Sequence, residues 1–401
     1  MKSKILINSG STRFFLIQTA EELSRRNMLG GLVCGVILSH NSRIRILAKR
    51  IKWVSRFANR SKYLQRRDYS VAILGEIFWQ MAVQLQNRTK FVKLKDLFFW
   101  LSSWAFSRKA IRKMKKIKGD DSIIYHVRSG FGGNSIKFAR QKNYKVIVDH
   151  SIAHPHFIAS LSLSGLFVSV RTLSLDRVIM QDISNADLLL VNSEFVKSTF
   201  QIENYSNCIV VALPPIDTEV TEKFQQTAAT RTGIVFIGKC EMRKGIDTLY
   251  EIVCQLDKRI RVQIMGNWEI NSLVFKEKLS KFPNVEILPY SDSTRVAELL
   301  LNAKIFLFPT RAEGAARVVG EAMHAGCAIF TTIESGIHIE ESFGRYINNM
   351  SIPEIITDLN YFLNQVENFE AISQFAKRSI AMQESEYFSI LTSSYQKFDS
   401  E

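Results

Sequence analysis

The sequence has no apolar run that approaches the ~18 residues needed to cross a membrane as a helix. Its first residues, MKSKILINSG, lead directly into an apolar segment without a signal-peptide pattern, so we expect a cytoplasmic protein. The five cysteines are scattered and show no C-x-x-C spacing, which argues against a disulfide framework and a zinc site. No D-x-D sequence is present to hold a divalent cation on a diphosphate. We therefore expect no cofactor and no metal.

Acidic residues are scarce in the first half of the chain. Residues 1–200 contain 34 lysines and arginines against 12 aspartates and glutamates, a net charge of +22, whereas the remainder has 19 against 26, a net charge of −7. No acid occurs between Leu23 and Arg67, and residues 43–67 contain ten lysines and arginines. A second segment, residues 94–118, joins an aromatic stretch to seven cations. The basic character is thus concentrated in two segments.

The first basic segment has the periodicity of an amphipathic helix, because apolar residues recur at Ile44, Leu47, Ile51, Val54 and Ala58. Three interpretations are open for both segments: a helix packed on its domain with a solvated basic face, a nucleic-acid surface, or attachment to an anionic membrane. Aromatic residues next to cations favour the membrane. No nucleic-acid-binding motif is present, so we expect no nucleic-acid partner.

Length and composition fit two domains, since 401 residues with 46% hydrophobic content fill two cores. Apolar strand-like runs alternate with helical patterns along the chain, which predicts parallel α/β domains. We place a first domain at 1–212 with a basic helical insert at about 41–119, and a linker at 213–232. The second domain follows at 233–385, and a helix at 386–401 returns to the first domain.

The stretch from Pro309 to Ile329, PTRAEGAARVVGEAMHAGCAI, carries two glutamates eight positions apart across a predicted loop-to-helix junction. Such a junction directs backbone N–H groups and the positive end of the helix dipole towards one point, which suits a phosphate. Glu313 and Glu321 can then accept hydrogen bonds from hydroxyl groups on either side of that phosphate. A sugar nucleotide has this layout.

A second motif precedes this block by about seventy residues. The predicted strand from Ile234 to Ile237 leads into Gly238, Lys239 and Lys244 before a predicted helix. Gly238 permits close approach of a ligand to the backbone, and the two lysines can reach a diphosphate above the sheet. Alone the signal is weak, but paired with the glutamate block it becomes specific.

From Gly233 to about Gly344 the chain resembles glycosyltransferase family 4, a retaining family with the GT-B architecture of two Rossmann-like domains facing a cleft. The resemblance rests on the G-[RK]-x4-K-G turn, the strands RVQIMG and VEILPY, the helix TRVAELLLNA and the P-[ST]-R-x-E-G-x6-E-A-M-x-x-G block. Two positions depart from the family pattern. Lys239 stands where arginine is usual, which removes a bidentate fork, and Ala316 stands where glycine is common.

The resemblance implies a set of site residues. It assigns contact with the donor sugar to Glu313, the ribose to Glu321, and neutralisation of the diphosphate to Lys239 and Lys244. His150, which ends the predicted strand KVIVDH, matches a histidine that contacts the sugar near its reacting carbon. We therefore predict His150, Glu313 and Lys244 as catalytic. The predicted donor-binding residues are Gly238, Lys239, Lys244, Glu313, Gly314, Ala315, Ala316, Arg317 and Glu321.

Two residues are candidates for the acceptor side of the cleft. Gly10 follows the first predicted strand, and His154 lies four residues after His150. Both would lie at strand ends, which face the cleft between the domains. His150 and His154 each have an alternative interpretation, as a surface residue or a satisfied residue of the cleft.

The resemblance implies a metal-independent retaining glycosyltransferase that moves a sugar from a nucleotide-diphosphate sugar to a glycan or lipid-linked acceptor. With the basic segments it favours bacterial surface polysaccharide synthesis on the inner face of the membrane. Other classes remain open. One is a sugar phosphorylase or a nucleotide-sugar epimerase of the same architecture, although the lysine motif that a pyridoxal-dependent phosphorylase needs is not found. Another is a catalytically weak peripheral membrane adaptor that retains a nucleotide-sugar fold.

Overall fold

The computed structural model describes residues 3–11, 15–37, 64, 68–85, 91–117, 123–163, 173–216, 231–365 and 369–400. In these residues two parallel β-sheets are each flanked by helices. This is the expected α/β architecture with two Rossmann-like domains. Helices are numbered below over the described residues.

The first sheet has seven strands in the order β3-β2-β1-β4-β5-β6-β7, and all neighbouring pairs are parallel. Their bounds are β1 Lys4–Gly10, β2 Leu29–Cys34, β3 Tyr69–Val71, β4 Ile123–Arg128, β5 Lys145–His150, β6 Leu188–Val191 and β7 Cys208–Val211. The central strands are apolar on both faces because helices cover the sheet on both sides.

The second sheet has six parallel strands in the order β10-β9-β8-β11-β12-β13. Their bounds are β8 Ile234–Ile237, β9 Val262–Met265, β10 Val285–Leu288, β11 Ile305–Phe308, β12 Ala328–Thr331 and β13 Gly344–Tyr346. β8 and β11 are neighbours although two strands separate them in sequence. The chain therefore leaves this central pair in opposite directions, which makes it the topological switch point of the sheet.

The described helices connect successive strands or pack beside them. Those of the first domain are α1 Leu16–Arg25, α2 Ile73–Gln84, α3 Val92–Met114, α4 Asn134–Gln141, α5 Pro155–Leu163, α6 Leu173–Ser184 and α7 Glu194–Ile202. Those that follow are α8 Ile246–Gln255, α9 Leu273–Leu279, α10 Ser293–Asn302, α11 Arg317–His324, α12 Ile352–Asn364 and α13 Phe369–Ser400. None of the described helices is both long enough and apolar enough to span a bilayer.

Helix α13 packs on both domains. Ile372 and Ala376 lie in the core of the second domain, while Tyr387, Leu391 and Tyr395 lie in the core of the first. The returning helix that we placed at 386–401 thus begins, in the structure, as far back as residue 369.

The predicted basic insert at about 41–119 contains more than helices. Strand β3 lies within it and extends the first sheet at its edge. Helices α2 and α3 follow, and α3 covers most of the second basic segment, residues 94–118. Nearly all of the first basic segment, residues 43–67, falls outside the described residues.

Candidate active site

The candidate site lies at the carboxyl ends of β8 and β11, the switch-point pair of the second sheet. The turn after β8 carries Gly238, Lys239 and Lys244, and the loop after β11 carries Glu313. Parallel strands end at the same edge of a sheet, so both loops overhang one crevice. The fold thereby joins the two motifs that are seventy residues apart in sequence.

Gly245 determines how closely the two loops approach. It has φ +74° and stands at the start of α8, and a Cβ atom built on it would lie 1.9 Å from the carbonyl oxygen of Pro309. Only glycine combines a left-handed conformation with this contact at no steric cost. In the K-G pair of the motif, Gly245 therefore allows the two loops to pack closely, and Lys244 supplies a positive charge.

Six charged side chains of alternating sign form a continuous chain across the crevice. Lys239 Nζ donates to Glu269 Oε1 at 2.9 Å and to Glu241 Oε2 at 2.6 Å. Arg243 then donates to Glu241 at 2.5 Å and to Glu313 at 3.0 Å. The ammonium group of Lys244 contacts the same Glu313 oxygen. The charge chain, as we call it, is Glu269, Lys239, Glu241, Arg243, Glu313 and Lys244.

Burial and pairing set the protonation states in the charge chain. Burial disfavours the charged form of Glu313, but Lys244 and Arg243 outweigh it and hold its pKa below the usual range. Burial lowers the pKa of Lys244, and although Arg243 adds to this effect Glu313 opposes it. Burial likewise opposes the charge on Arg243, whose pKa is nevertheless raised by Glu313 and Glu241. The three cations and three carboxylates together carry no net charge.

The loop after Glu313 leads into α11, which begins at Arg317. Ala316 is buried, and its methyl group lies in the core of the second domain. The departure from glycine at this position is therefore accommodated by apolar packing. Ala315 is partly buried, Arg317 is exposed and Glu321 is partly exposed on the following turn.

Gly314 is where the two domains meet. Ser193 Oγ, at the amino end of α7, donates to the Gly314 carbonyl oxygen at 2.5 Å. A Cβ atom on Gly314 would lie 1.9 Å from the carbonyl oxygen of Ser151 in the first domain. The loop after β11 therefore lies directly against the first domain.

His150 ends β5 on the opposite wall and is almost fully buried. Its Nδ1 lies 2.8 Å from Ser129 Oγ, and its ring packs edge-on against Phe200. Next to it, burial raises the pKa of Asp149 to about 7, while Arg128, with 3.9 Å between Nη1 and Oδ1, acts in the opposite direction. Asp149 is thus a second ionisable group beside the predicted catalytic histidine.

His154 belongs to a different cluster. Its backbone N–H donates to Thr199, and its Nδ1 accepts from the backbone N–H of His156 at 3.2 Å. His156 Nδ1 in turn lies 2.8 Å from Glu203 Oε2. Within the described part of the chain, His154, His156 and Glu203 are the group whose ligand atoms, all within 4.8 Å of one another, could hold a metal ion.

Gly10 ends β1 with φ +62°, and a Cβ atom there would overlap the ring of Phe131. Glycine is needed at this position because the backbone passes close to an aromatic side chain. Its position at the carboxyl edge of the first sheet agrees with the expected acceptor side, and its role there stays a prediction.

Comparison with known families identifies the second domain. Residues 217–376 match the family described as glycosyl transferases group 1. This chain is therefore similar to that family over its second domain. The matched residues include the whole charge chain, α11 and the switch-point strands, so the similarity covers the candidate site. Comparison with curated protein sequences gave no match.

Solved structures show the same fold over the whole chain. HepE from Anabaena, crystallised in complex with UDP, has 12% sequence identity and a TM-score of 0.63, and the likeness covers 99% of this chain and 100% of HepE. Sucrose-phosphate synthase from Thermosynechococcus elongatus has 13% identity and a TM-score of 0.59, with 98% and 100% covered. WaaG, a glycosyltransferase involved in lipopolysaccharide biosynthesis, has 16% identity and a TM-score of 0.53, with 74% and 82% covered. The GT-B fold is thereby confirmed.

Three residues of the candidate site were not predicted. Glu241 and Arg243 lie within the turn between the two predicted lysines, and Glu269 follows β9. A signal was present for Arg243, since it adds a third cation to the K-C-E-M-R-K turn. Nothing in the local sequence pairs Glu269 with Lys239, because their contact depends on adjacent strands β8 and β9.

Proposed function

We propose that this protein is a retaining glycosyltransferase that moves a sugar from a nucleotide-diphosphate sugar to a glycan or lipid-linked acceptor. The observation that carries the proposal is the charge chain, which brings Lys239, Lys244 and Glu313 into one crevice at the switch point. The group 1 family match and the UDP bound by HepE support a nucleotide-sugar donor.

In the proposed reaction the bond between the anomeric carbon and the diphosphate oxygen breaks while the acceptor oxygen bonds to the same carbon on the same face. The acceptor proton passes to the leaving phosphate oxygen. Lys239 and Lys244 stabilise the negative charge that develops on the diphosphate, and the amino end of α11 adds its dipole. Glu313 orients the sugar hydroxyl groups, and His150 approaches from the first domain. No step in this scheme requires a metal.

We place the acceptor at the first domain and the protein on the inner face of a membrane, in bacterial surface polysaccharide synthesis. The net charge of +22 over residues 1–200 and the aromatic and basic residues of α3 support an anionic membrane as partner. Sedimentation with anionic liposomes at low salt tests this placement, and a protein that stays in the supernatant would contradict it.

The donor is tested with a thermal-shift screen against a panel of nucleotide sugars, because a ligand that binds the native state raises the melting temperature. The nucleotide sugar that binds is then used to measure transfer and slow hydrolysis. We expect Lys244→Ala to lower kcat by roughly 10²- to 10³-fold, the cost of one lost contact to a developing anion. Lys281→Ala, which removes an exposed lysine of the same domain, serves as the matched control.

Full transferase activity in Lys244→Ala would contradict the assigned role of Lys244. Glu313→Gln should abolish both transfer and hydrolysis, whereas Glu277→Gln on the exposed surface should leave them unchanged. If no nucleotide sugar raises the melting temperature, the proposed function is wrong.

A second candidate function is the catalytically weak membrane adaptor. It is favoured by the complete pairing of Lys239, Arg243 and Lys244 with carboxylates, which leaves the site without a net positive charge for a diphosphate. Donor binding without hydrolysis or transfer across acceptors would support the adaptor over the enzyme.

A further inference from the structure

An exposed apolar surface covers the helix pair α2 and α3 of the first domain. Eleven of the nineteen large apolar side chains that are exposed in the described part of the chain lie on this pair or on Phe91 beside it, each 38% to 60% exposed. They are Ile73, Leu74, Ile77, Met81, Val83, Phe91, Val92, Leu94, Leu97, Trp100 and Trp104. Concentration on two helices is unlike the scattered apolar residues of an ordinary surface.

The two helices form a rigid antiparallel pair. Gly75, early in α2, packs against the ring of Phe106 and accepts a hydrogen bond from Ser102 late in α3. Trp79, one turn further along α2, packs edge-on against Phe99, earlier in α3. The inner faces are therefore filled by aromatic contacts, and the exposed apolar residues form an outer face of fixed shape.

The outer face of α3 changes from apolar to basic along one helical stripe. Leu97, Trp100 and Trp104 are followed at helical spacing by Arg108 and Arg112, and all five are exposed. The Arg108 guanidinium lies 5.2 Å from the centre of the Trp104 ring, at the point where the stripe changes character. An apolar surface edged by Trp and Arg matches the boundary between acyl chains and headgroups.

A cavity of about 420 Å³ opens where the stripe becomes basic. The start of α2 forms one wall, and the other carries the cations Arg108, Lys109 and Arg112 beside Trp104. No acid is among its lining residues in the described structure. The cavity is suited to a lipid phosphate group held by guanidinium and ammonium groups.

Both acidic side chains of the helix pair are turned away from this surface. Glu76 is buried and accepts hydrogen bonds from Ser11 and Gln80. Asp96 accepts two hydrogen bonds from Ser174 in α6. The basic end of α3 carries Arg108, Lys109, Arg112 and Lys113, and neither acidic residue of the helix pair lies in that stretch.

We propose that the outer face of α2 and α3 inserts into the interfacial layer of an anionic bilayer, with Arg108, Lys109 and Arg112 binding lipid phosphates. A second copy of this chain fits the face less well, because a twofold contact would bring these cations against their own copies. This surface assigns the membrane partner of the proposed function to a specific helix pair.

The position of the α2–α3 face also indicates which kind of acceptor the protein uses. α2 starts directly after β3, at the carboxyl edge of the first sheet, and Glu76 contacts Ser11, which follows β1. His150 ends β5 at the same edge. A bilayer on the α2–α3 face would therefore lie next to the acceptor side of the cleft, which suits an acceptor anchored by a lipid. This part of the inference rests on the proposed function.

The apolar contribution is tested with the full chain and phosphatidylcholine vesicles, with and without phosphatidylglycerol. Combined Leu97→Gln, Trp100→Gln and Trp104→Gln should weaken partitioning onto anionic vesicles by about tenfold or more, since buried apolar area drives insertion. The control combines Ile270→Gln, Leu273→Gln and Val274→Gln, which change equally exposed apolar residues of the second domain. The control should bind as the unaltered protein does.

The basic contribution is tested by Arg108→Gln with Arg112→Gln. Each lost cation should weaken binding roughly fivefold at low salt, and the difference should shrink at high salt. Arg259→Gln with Lys281→Gln, which neutralises two exposed cations of the second domain, is the matched control. A direct measurement on the unaltered chain is quenching of tryptophan fluorescence by lipids brominated near the headgroup.

Equal binding by the apolar variant and its control, or absence of quenching, would overturn the proposal. So would a dimer of the unaltered protein that the apolar variant converts to a monomer without any change in vesicle binding. Melting temperature and nucleotide-sugar binding verify that each variant is folded. If the protein inserts but no nucleotide sugar binds, the proposed function fails and the insertion stands.

Discussion

Glu269 lies at the far end of the charge chain from Lys244, and its carboxylate shares the Lys239 ammonium group with Glu241. An anionic ligand must therefore compete with two carboxylates for Lys239. Glu269 and Glu241 also hold that ammonium group in a fixed position, which reduces the ordering needed when a ligand binds. The affinity of the site for an anionic ligand therefore depends on two opposing effects of Glu269 and Glu241: they compete with the ligand for Lys239, and they hold the Lys239 ammonium group in position.

Removal of one competing carboxylate should strengthen the binding of a nucleoside diphosphate. Glu269→Gln raises the net charge of the charge chain from zero to +1 and leaves Lys239 held by Glu241. We expect about tenfold tighter binding, measured by titration calorimetry at low salt, since one charge contact is worth about 1 kcal/mol or more in a partly buried site. Glu286→Gln, at an exposed pair with Arg261, is the control. Weaker binding by Glu269→Gln would show that positioning outweighs competition.

At the scale of elements, the turn after β8 and the loop after β11 form one interlocked unit. Arg311 in the second loop donates to both carboxylate oxygens of Asp247 in α8, each at 2.7 Å, and to the carbonyl oxygen of Met242. Gly245 contacts Pro309 within the same unit. Lys244 and Glu313, which we predict to be catalytic, therefore lie on loops that cannot shift independently.

Gly245→Ala should separate these loops. The added methyl group would overlap the Pro309 carbonyl oxygen, and the φ of +74° would be strained by a side chain. We expect a loss of unfolding free energy of roughly 1–3 kcal/mol, measured by urea denaturation. Gly238→Ala, whose Cβ would lie 3.3 Å from the Phe308 ring and 4.0 Å from the Phe236 ring, should cost less. Equal stability of Gly245→Ala and the unaltered protein would contradict the interlock.

Local pattern was sufficient for the elements that form this unit. The predicted strand Ile234 to Ile237 matches β8, and the helix predicted to follow Lys244 matches α8, because apolar runs and turn residues mark both in sequence. The pairing of Glu269 with Lys239 and the approach of Gly314 to Ser151 could not be predicted, since each depends on how strands or domains are placed in space. The extent of α13 was also missed, because its length follows from packing on two domains.

At the scale of the whole molecule, the two domains touch at the loop after β11, which carries Glu313 and Gly314. Ser193 of α7 is both the amino-terminal cap of its helix and the donor to Gly314. The contact between the domains, at Gly314, is thus adjacent in sequence to Glu313. Domain closure at such a contact excludes water and completes a reactive arrangement.

Gly314→Ala should prevent this closure. The methyl group would lie on the Ser151 carbonyl oxygen, so the domains must separate to admit it. We expect nucleotide-sugar binding to persist while kcat falls by about 10²-fold or more, as expected when reacting groups are misplaced by about an ångström. Small-angle scattering should show a larger radius of gyration. The control is Ser198→Ala, because the Ser198 hydroxyl group donates to the Phe195 carbonyl oxygen within α7; this variant should change neither kcat nor the radius of gyration. An unchanged kcat in Gly314→Ala would contradict the coupling between domain contact and catalysis.

Helix α13 sets the order in which the molecule can be completed during synthesis. The Tyr395 hydroxyl group forms a hydrogen bond with Nδ1 of His126, which lies in β4 of the first sheet. The Asp399 carboxylate accepts a hydrogen bond from the backbone N–H of Ser3, the residue before β1. Domains generally fold as the chain emerges from the ribosome, amino-terminal part first. The first domain lacks part of its core until Tyr387, Leu391 and Tyr395 of α13 have left the exit tunnel. The second domain needs only the earlier part of α13, so it is completed before the first domain.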